Sequence, residues 1–581
     1  MKPSVILMAS CAILGLSACG TKKAKAAASL SREKAQMAPA VNPYTKGMVA
    51  AANPHAVEAG LEALRNGGSA IDAAIAVQTT LGLVEPQSSG VGGGAFLVFY
   101  DAKSGKVIAY NGRETAPAAV DENLFLGEDG KPVRYIEGIT SGQSTGVPGV
   151  MAMLSMAHHE YGKRPWADDF NYAIDLADKG FEVSPRMAGL IKRAGDYALR
   201  VQPQARAYFF HEDGSPIEAG FHRDNKPYAE SLRLIAKDVR NLYEGPLAEK
   251  IVAAVHEDPR PGLLSLDDLK NYKAKKTMAL CSPYKDYTLC SAPPPSSGGI
   301  AVQSIMGQLS NFDMRALGST LEGWHVFAEV SELAYADRDL YVADPDFIDV
   351  PTRAMLAPTY LKSRAALVKM DSAMKDVKAG DPVNFRPGKD ATPDVPGTSH
   401  MSIVDKWGNV VSMTTTVESL FGSERMAGGF MLNNQLTDFS FAPRDASGNP
   451  VANRVQAGKR PRSSMAPHII FDKDGNFSFA TGSPGGSSII AYTAKTIIGI
   501  IDWGLSPQEA INLPNFIARN GVVRLEEAGF SNEHIKALEK LGHKITRSKG
   551  EISGLHIIRK NPDGSYTGGA DPRREGKATS E

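Results

Sequence analysis

The sequence predicts that two threonine hydroxyls lie side by side, so that one could act as a nucleophile and the other could hold it in position. In this 581-residue chain, two apolar, β-branched runs flank residues 405–409, Asp-Lys-Trp-Gly-Asn. A three-residue loop with glycine in the left-handed position is a common hairpin connection, and it pairs Asp405 with Asn409. Continued along both strands, that register places Thr398 opposite Thr416. Opposed side chains have Cβ atoms about 4.5–5.5 Å apart, so we expect the two hydroxyls to meet.

A threonine hydroxyl is a weak nucleophile unless a base accepts its proton. If the chain is cut between Gly397 and Thr398, the α-amino group of Thr398 becomes such a base, because an α-amine has a reference pKa of about 7.7–8.0. Before the cut, the same hydroxyl could attack the carbonyl of Gly397, which carries no side chain, while Thr416 holds the hydroxyl by a hydrogen bond. The pattern predicts a self-cleaving hydrolase with Thr398 as its nucleophile.

The segment before Thr398 has the composition of an exposed, poorly packed stretch. Residues 378–397 contain four prolines and few large apolar side chains. A flexible stretch that ends abruptly at a strand is where a processing site would lie. A simple linker between two domains explains the same composition.

Acyl transfer also needs hydrogen-bond donors for an oxyanion. Residues 477–480 are predicted to form a strand, residues 481–486 (Thr-Gly-Ser-Pro-Gly-Gly) a turn, and residues 487–503 a helix. The backbone N–H groups of Gly485 and Gly486 would then lie at a helix N-terminus, which favours negative charge. A plain strand–turn–helix connection is the alternative interpretation.

The first residues have the features of an export signal. Lys2 precedes a short apolar run and a small-residue end, which is typical of a secretory signal peptide and too short for a membrane span. Leu-Ser-Ala-Cys at 16–19 also matches a bacterial lipobox, in which cleavage precedes a cysteine that carries lipid; an ordinary signal peptide with an incidental cysteine is the alternative. We expect a periplasmic protein anchored to a membrane through lipid on Cys19. The expected boundaries are a signal peptide at 1–18 and a tether at 19–44.

Cys281 and Cys290 flank a turn at residues 282–286 and would lie in an oxidising space after export. The two cysteines could face each other across a hairpin, so either a disulfide or two buried thiols fits the pattern. No CxxC or HExxH pattern occurs, so no metal site is predicted.

The charge balance argues against nucleic acid as a partner. Lysine plus arginine and aspartate plus glutamate both number 64, so no basic excess exists to neutralise phosphates. Residues 90–95 roughly fit the dinucleotide motif GxGxxA, but they lack the preceding strand and following helix that this motif requires.

The segment from Thr398 to Gly422 resembles the signature of the γ-glutamyltransferases (γ-glutamyltranspeptidases, glutathione hydrolases). It reads Thr-Ser-His-x-Ser-Ile-x4-Gly-Asn-x-Val-Ser-x-Thr-x-Thr-Val-Glu-x2-Phe-Gly. Other pieces agree in the same order: 112–117 (Gly-Arg-Glu-Thr-Ala-Pro), 293–299 (Pro-Pro-Pro-Ser-Ser-Gly-Gly), 432–438 (Leu-Asn-Asn-Gln-Leu-Thr-Asp), 458–465 (Gly-Lys-Arg-Pro-Arg-Ser-Ser-Met), 481–486 and the C-terminal Asp-Pro-Arg at 571–573.

This resemblance implies an α/β fold of the N-terminal-nucleophile hydrolase type, with four layers in the order αββα. A large subunit (45–397) and a small catalytic subunit (398–581) would arise from one precursor and stay together as a heterodimer. The implied reaction is ping-pong and needs no cofactor. Thr398 attacks the γ-amide of glutathione or another γ-glutamyl compound, and water, an amino acid or a peptide then takes the acyl group.

The γ-glutamyl head carries an α-carboxylate and an α-ammonium, and the resemblance assigns residues to each. The guanidinium fork of Arg113 suits the carboxylate, which Ser463 and Ser464 would also bind. The ammonium is expected at Asp438, Glu418 and Gln435. His400 is expected to be structural, because the proposed base is the amine.

One departure from the family pattern concerns the donor pocket. Family members with a long lid carry an aromatic residue between the aspartate and the serine pair, whereas residues 444–458 here contain none. We expect a short or absent lid, which would admit bulkier acyl donors. A cephalosporin- or glutaryl-type acylase is therefore the alternative within the family. A catalytically silent, lipid-anchored binding protein is the alternative from another class.

Overall fold

The computed structural model describes residues 47–194, 198–390, 392, 397–549 and 552–581. The predicted signal peptide, the tether and Cys19 lie outside these residues. Among the described residues, no helix is both long enough and apolar enough to cross a membrane.

The predicted threonine hairpin lies inside a seven-stranded sheet. Thr398–Val404 pairs antiparallel with Val410–Thr416, and the register places Thr398 opposite Thr416, which confirms the predicted pairing. The loop is closed by a hydrogen bond from the Asp405 N–H to the Asn409 carbonyl, and Gly408 has a φ of 81°, the left-handed value that this loop requires. In spatial order the strands are Lys577–Ser580, Met48–Ala51, Thr398–Val404, Val410–Thr416, Gly94–Asp101, Lys106–Gly112 and Lys275–Met278.

A second sheet has six strands and carries the glycine-rich turn at one end of a strand. Cys281 and Cys290 face each other on its edge hairpin and form a disulfide, which decides between the two alternatives for these cysteines. In spatial order the strands are Tyr566–Ala570, His556–Lys560, Phe477–Gly482, His468–Phe471, Tyr287–Ser291 and Leu280–Tyr284.

Helices cover the outer faces of both sheets, so the fold has the four αββα layers that were predicted. Ala70–Val84 is buried along its whole length against the seven-stranded sheet, and a capping box at Ser69 begins it. Ser297–Leu309 and Ile489–Ile501 pack on the six-stranded sheet. The α-helices are Pro54–Arg65, Ala70–Val84, Tyr135–Ile139, Val150–Tyr161, Asn171–Lys179, Pro185–Ala194, Pro203–Phe209, Lys226–Lys237, Pro246–Val255, Leu266–Asn271, Ser297–Leu309, Met314–Leu317, Leu321–Tyr341, Thr352–Met355, Pro358–Ala365, Ile489–Ile501, Pro507–Asn512 and Asn532–Leu541.

Both sheets draw strands from both sides of Thr398. A cut before this residue would therefore not separate two folding units. The remaining strands form small sheets: Phe516–Arg519 with Val522–Glu526 and Ile545–Ser548, Met426–Ala427 with Phe430–Met431, and Phe181–Glu182 with His222–Arg223.

Candidate active site

The hydroxyls of Thr398 and Thr416 are hydrogen-bonded to each other and to the peptide that the sequence predicts to be cut. Thr398 Oγ1 donates to Thr416 Oγ1 over 3.2 Å, and Thr416 Oγ1 donates to the Gly397 carbonyl oxygen over 2.5 Å. The backbone N–H of Glu418 donates to Thr416 Oγ1 over 2.7 Å and fixes its position. Donation to a carbonyl oxygen makes its carbon more electrophilic, so this chain of bonds favours attack on the Gly397 carbonyl.

Residue 397 approaches the opposite loop so closely that only glycine fits. A Cβ atom at Gly397 would lie 2.4 Å from the carbonyl oxygen of Glu418 and 2.6 Å from the carbonyl carbon of Ser419. Both distances are well inside van der Waals contact, so the absence of a side chain here is a steric requirement of this turn.

Most of the predicted site residues share one small pocket beside the two threonines. In the uncut chain this cavity measures about 20 Å³, which is room for about one water molecule. Met465 and Ile489 add apolar wall, and sequence reasoning missed both. The lining residues are Thr398, Thr416, Glu418, Gln435, Asp438, Ser463, Ser464, Met465, Gly486 and Ile489.

Three lining residues, which we call the acceptor side of the pocket, present acceptor oxygens: Glu418, Gln435 and Asp438. Asn434 Nδ2 donates to Glu418 Oε2 over 2.6 Å, and Gln435 Nε2 donates to Asp438 Oδ2 over 3.3 Å. Gln435 Oε1 is buried and accepts no hydrogen bond within the described part of the chain. Glu418 has a φ of +85°, a conformation that costs a non-glycine residue about 1–3 kcal/mol and is found mostly at functional sites. Two carboxylates and an amide oxygen suit an ammonium group.

Arg113 contacts the pocket-lining Asp438 but is not itself among the pocket-lining residues. Its side chain is fully buried, and Nη2 donates both to Asp438 Oδ2 and, over 3.0 Å, to the carbonyl of Arg462. Nη1 lies 3.6 Å from the Glu114 carboxylate and makes no hydrogen bond with any described residue. Burial raises the pKa of Glu114 to about 8 against the opposing effect of Arg113, so near pH 7 the Glu114 carboxyl is mostly neutral.

Two other lining residues, which we call the donor side of the pocket, carry hydroxyl groups that can donate: Ser463 and Ser464. Ser463 Oγ accepts the backbone N–H of Met465 over 3.2 Å, and Ser464 Oγ accepts Arg338 Nη2 over 2.5 Å. Accepting a hydrogen bond uses one lone pair of each hydroxyl oxygen, so each hydroxyl can still donate its hydrogen to a ligand in the pocket. Sequence reasoning found the serine pair but missed Arg338.

The glycine turn adjoins the pocket, as the sequence predicts, but the helix after it begins later. Gly486–Ser488 forms a 3₁₀ turn, so the α-helix starts at Ile489 rather than residue 487. Gly485 and Gly486 have φ values of 136° and 57°, and a Cβ at Gly485 would lie 2.6 Å from the Tyr492 ring. Gly486 lines the pocket and Gly485 is the preceding residue. Their role as oxyanion donors stays a prediction.

Two further contacts fix the strand Thr398–Val404. His400 is fully buried and bonded to Thr414 Oγ1 at 2.9 Å, and burial lowers its pKa well below the usual value. It does not line the pocket, in agreement with the structural role expected for it. Arg574 Nη1 donates to the Thr398 carbonyl over 2.7 Å. This contact was missed, although Arg574 directly follows the Asp-Pro-Arg motif.

The polar segment at 444–458 contributes no side chain to the pocket wall. Its tip is an exposed turn closed by a bridge between Arg444 and Pro450. The short or absent lid stays a prediction.

Two clusters outside the pocket have the side chains that metals prefer. In the first, His325 Nδ1 is bonded to His543 Nε2 and His325 Nε2 to the Lys369 carbonyl, both over 2.7 Å, with Glu329 beside them. The second cluster contains Asp72, His158 and Asp169. Neither cluster lies on the pocket wall.

Comparison with known proteins agrees with this geometry. The family model described as gamma-glutamyltranspeptidase matches residues 56–580. The chain is 37% identical over 538 residues to a glutathione hydrolase proenzyme of Escherichia coli (strain K12), covering 91% of this chain and 90% of that protein. It is 35% identical over 545 residues to one of Bacillus subtilis (strain 168), with coverage of 92% and 91%. Among solved structures, a cephalosporin acylase from Bacillus halodurans superposes with a TM-score of 0.81 at 26% identity and covers 94% of this chain and 98% of that one.

Proposed function

Because the chain belongs to the γ-glutamyltranspeptidase family, whose members are hydrolases of the N-terminal-nucleophile type, we propose that it is a self-processing γ-glutamyltransferase and glutathione hydrolase. Cleavage between Gly397 and Thr398 gives a large fragment (45–397) and a small fragment (398–581). The mature enzyme cleaves γ-glutamyl amides, including glutathione, through a γ-glutamyl ester on Thr398. It passes the acyl group to water, an amino acid or a peptide.

The observation that carries this proposal is the division of the pocket into an acceptor side and a donor side next to Thr398. Glu418 and Asp438 lie on the acceptor side, and Ser463 and Ser464 lie on the donor side. A γ-glutamyl head presents an ammonium and a carboxylate on one carbon atom. A glutaryl head has the carboxylate but lacks the ammonium, so it cannot make the charge-assisted hydrogen bonds that an ammonium can donate to the two acidic side chains.

Maturation uses the hydrogen bonds seen in the uncut chain. Thr398 Oγ attacks the Gly397 carbonyl carbon, the peptide C–N bond breaks, and the new α-amine takes up a proton as the acyl group moves to oxygen. Water then hydrolyses the ester and releases the Gly397 carboxylate. In turnover, the Thr398 amine accepts the hydroxyl proton, and Oγ attacks the γ-carbonyl carbon. The amine returns the proton to the leaving amine, while Gly485 and Gly486 stabilise the oxyanion.

The small cavity of the uncut chain explains why processing must precede turnover. A volume of about 20 Å³ is too small for a glutamyl head. The Thr416 hydroxyl already donates its hydrogen to the Gly397 carbonyl, so it cannot donate it to a substrate carbonyl as well. After the cut, the substrate carbonyl can take the place of the Gly397 carbonyl.

Hydrolysis of two chromogenic anilides tests the proposal. L-γ-Glutamyl anilide should exceed glutaryl anilide in kcat/KM by about tenfold or more, because a hydrogen bond to a charged group contributes about 1.5–3 kcal/mol. The reverse preference would identify a cephalosporin- or glutaryl-type acylase, an alternative that the acylase-like fold keeps open. An uncut chain that turns over neither anilide would indicate the silent binding protein.

The site of action is a second part of the proposal. Export by the signal at 1–18 and lipid on Cys19 would place the enzyme on the periplasmic side of a bacterial membrane, where it meets external γ-glutamyl compounds. Fractionation of cells that express Cys19→Ser tests this: the variant should move from the membrane to the soluble fraction with unchanged turnover. If the wild type is itself soluble, the anchor is absent.

A further inference from the structure

The helix Leu321–Tyr341 carries a buried arginine that contacts the donor side of the pocket. Arg338 is 1% exposed, and its three nitrogens have different partners. Nε donates to Ser297 Oγ over 2.8 Å, Nη2 donates to Ser464 Oγ over 2.5 Å, and Nη1 donates to Asp339 over 2.6 Å. Ser464 is the pocket-lining member of this set.

The loop that begins the helix Ser297–Leu309 holds the serine pair from behind. Ser297 donates to the Ser463 carbonyl through both its N–H and its Oγ, each over 2.6 Å, and Ser296 Oγ donates to the Met465 carbonyl over 2.6 Å. A Cβ at Gly298 would lie 2.5 Å from the Ser464 carbonyl oxygen, so the two segments touch at glycine. The Pro-Pro-Pro-Ser-Ser-Gly-Gly motif thus fixes the backbone of Ser463 and Ser464. Arg338 links this motif to the pocket, because it donates both to Ser297 of the motif and to the Ser464 hydroxyl.

We propose that Arg338 is a positioning residue that sets the Ser464 hydroxyl as a donor toward the carboxylate of the acyl donor. The assignment rests on the proposed function. A serine hydroxyl has one hydrogen and two lone pairs. The bond from Arg338 uses one lone pair, and the positive charge of the guanidinium favours turning the hydroxyl hydrogen away from it, as donation to an anion requires. The charge-assisted bond also polarises the O–H toward the pocket. The pocket therefore selects an anion at this position over a neutral group of the same shape.

The buried charge of Arg338 is balanced by the neighbouring Asp339 carboxylate. Although burial acts to raise the pKa of Asp339, the guanidinium groups of Arg519, Arg338 and Arg462 hold it far below the usual range. Arg338 thus has an ion-pair partner on the side away from the pocket, and its Nη2 remains directed at Ser464.

Kinetics with two matched substrates test this role. The substrates are L-γ-glutamyl anilide and the same anilide with the α-carboxylate replaced by a carboxamide, which keeps the shape and removes the charge. The ratio of their kcat/KM values measures selection for the carboxylate. In Arg338→Met this ratio should fall about tenfold, mainly through a higher KM for the carboxylate substrate. Arg338→Lys keeps the charge and should recover part of the ratio.

Arg364→Met is the matched control. Arg364 is also buried, and it pairs with Asp337, which lies on the same helix as Arg338. Neither Arg364 nor Asp337 lines the pocket. This variant should keep the wild-type ratio even if its melting temperature falls. An unchanged ratio in Arg338→Met, with both rates lowered alike, would reduce Arg338 to a structural residue and overturn the inference.

Three further outcomes are decisive. If Arg338→Met fails to mature, Arg338→Lys tests the inference instead. Its ratio of kcat/KM for the carboxylate substrate to kcat/KM for the carboxamide substrate must lie below that of the wild type. If the wild type cleaves neither anilide, the proposed function fails and this inference fails with it. Wild-type turnover with no loss of selectivity in either Arg338 variant contradicts the inference alone.

Discussion

Thr416 donates its hydroxyl hydrogen to the Gly397 carbonyl oxygen over 2.5 Å and accepts the hydroxyl of Thr398 over 3.2 Å. One side chain is thus bonded both to the oxygen that we propose as the nucleophile and to the carbonyl that we propose it attacks. In the mature enzyme the same hydroxyl would hold Thr398 toward the substrate.

Replacement of Thr416 by alanine should slow self-cleavage by about a hundredfold, the usual effect of removing one donor from a developing oxyanion. Thr416→Ser keeps the hydroxyl and should mature at close to the wild-type rate. Thr415→Ala is the control, since successive residues of a strand point to opposite faces. Gel analysis of fragment formation over time measures all three. Equal rates for Thr416→Ala and Thr415→Ala would contradict the role given to Thr416.

Glu418→Gln should change which head group is preferred. It removes one of the two carboxylates on the acceptor side of the pocket, so kcat/KM for γ-glutamyl anilide should fall about tenfold while that for glutaryl anilide stays within about twofold.

Glu424→Gln is a matched control for this experiment. Glu424 is likewise buried with a positive φ of 58°, but its carboxylate accepts the N–H of Leu199 and does not line the pocket. Its variant should keep the wild-type preference. If kcat/KM falls equally for γ-glutamyl anilide and glutaryl anilide in Glu418→Gln, the Glu418 carboxylate does not bind the ammonium.

Buried neutral histidines should make the fold sensitive to acid. Burial lowers the pKa of His468 to about 4, whereas an unfolded histidine has a pKa of about 6.5. Between these values the unfolded chain binds a proton that the folded chain does not. The histidine's contribution is therefore fully present above pH 6.5 and is lost as the pH falls toward 4, by up to about 1.4 kcal/mol per pH unit.

His468→Gln removes this proton linkage. The stability difference between the variant and the wild type, measured as urea midpoints, should shrink from pH 7 to pH 5. The exposed His534 supplies the control, because His534→Gln should track the wild type at both pH values. A constant difference for His468→Gln would show that this histidine is not the source of the acid sensitivity.

The disulfide should stabilise the edge hairpin without serving catalysis. Cys281 and Cys290 are nine residues apart, and closing a loop of this size contributes about 2–3 kcal/mol in the chain-entropy model. Neither cysteine lines the pocket. The double variant Cys281→Ala/Cys290→Ala should melt a few degrees lower with kcat/KM within about twofold, and Ser282→Ala should match the wild type. A large loss of turnover in the folded double variant would place the hairpin in the catalytic machinery.

Local rules predicted the part of the site that depends on local structure. The loop at Gly408 fixes the hairpin register, and that register alone brings Thr398 to Thr416. The donor and acceptor residues, such as Asp438 and Ser464, came from the family resemblance, because turn residues show no individual sign of binding.

The missed residues depend on tertiary packing. Arg338 meets Ser464 across 126 positions of sequence, and an arginine in a helix carries no local mark of such a contact. Arg574 reaches the Thr398 carbonyl across 176 positions. The late start of the helix at Ile489 has a local cause, the 3₁₀ turn that the positive φ of Gly486 begins.

Mass spectrometry of the purified wild type and Thr398→Ala tests the central claim most directly. The wild type should yield two fragments, the smaller of which begins at Thr398. Thr398→Ala should remain a single chain without turnover, because it has neither the attacking hydroxyl nor the N-terminal threonine. A Thr398→Ala chain that still splits before residue 398, or a wild type that is cut elsewhere and remains active, would contradict Thr398 as the nucleophile.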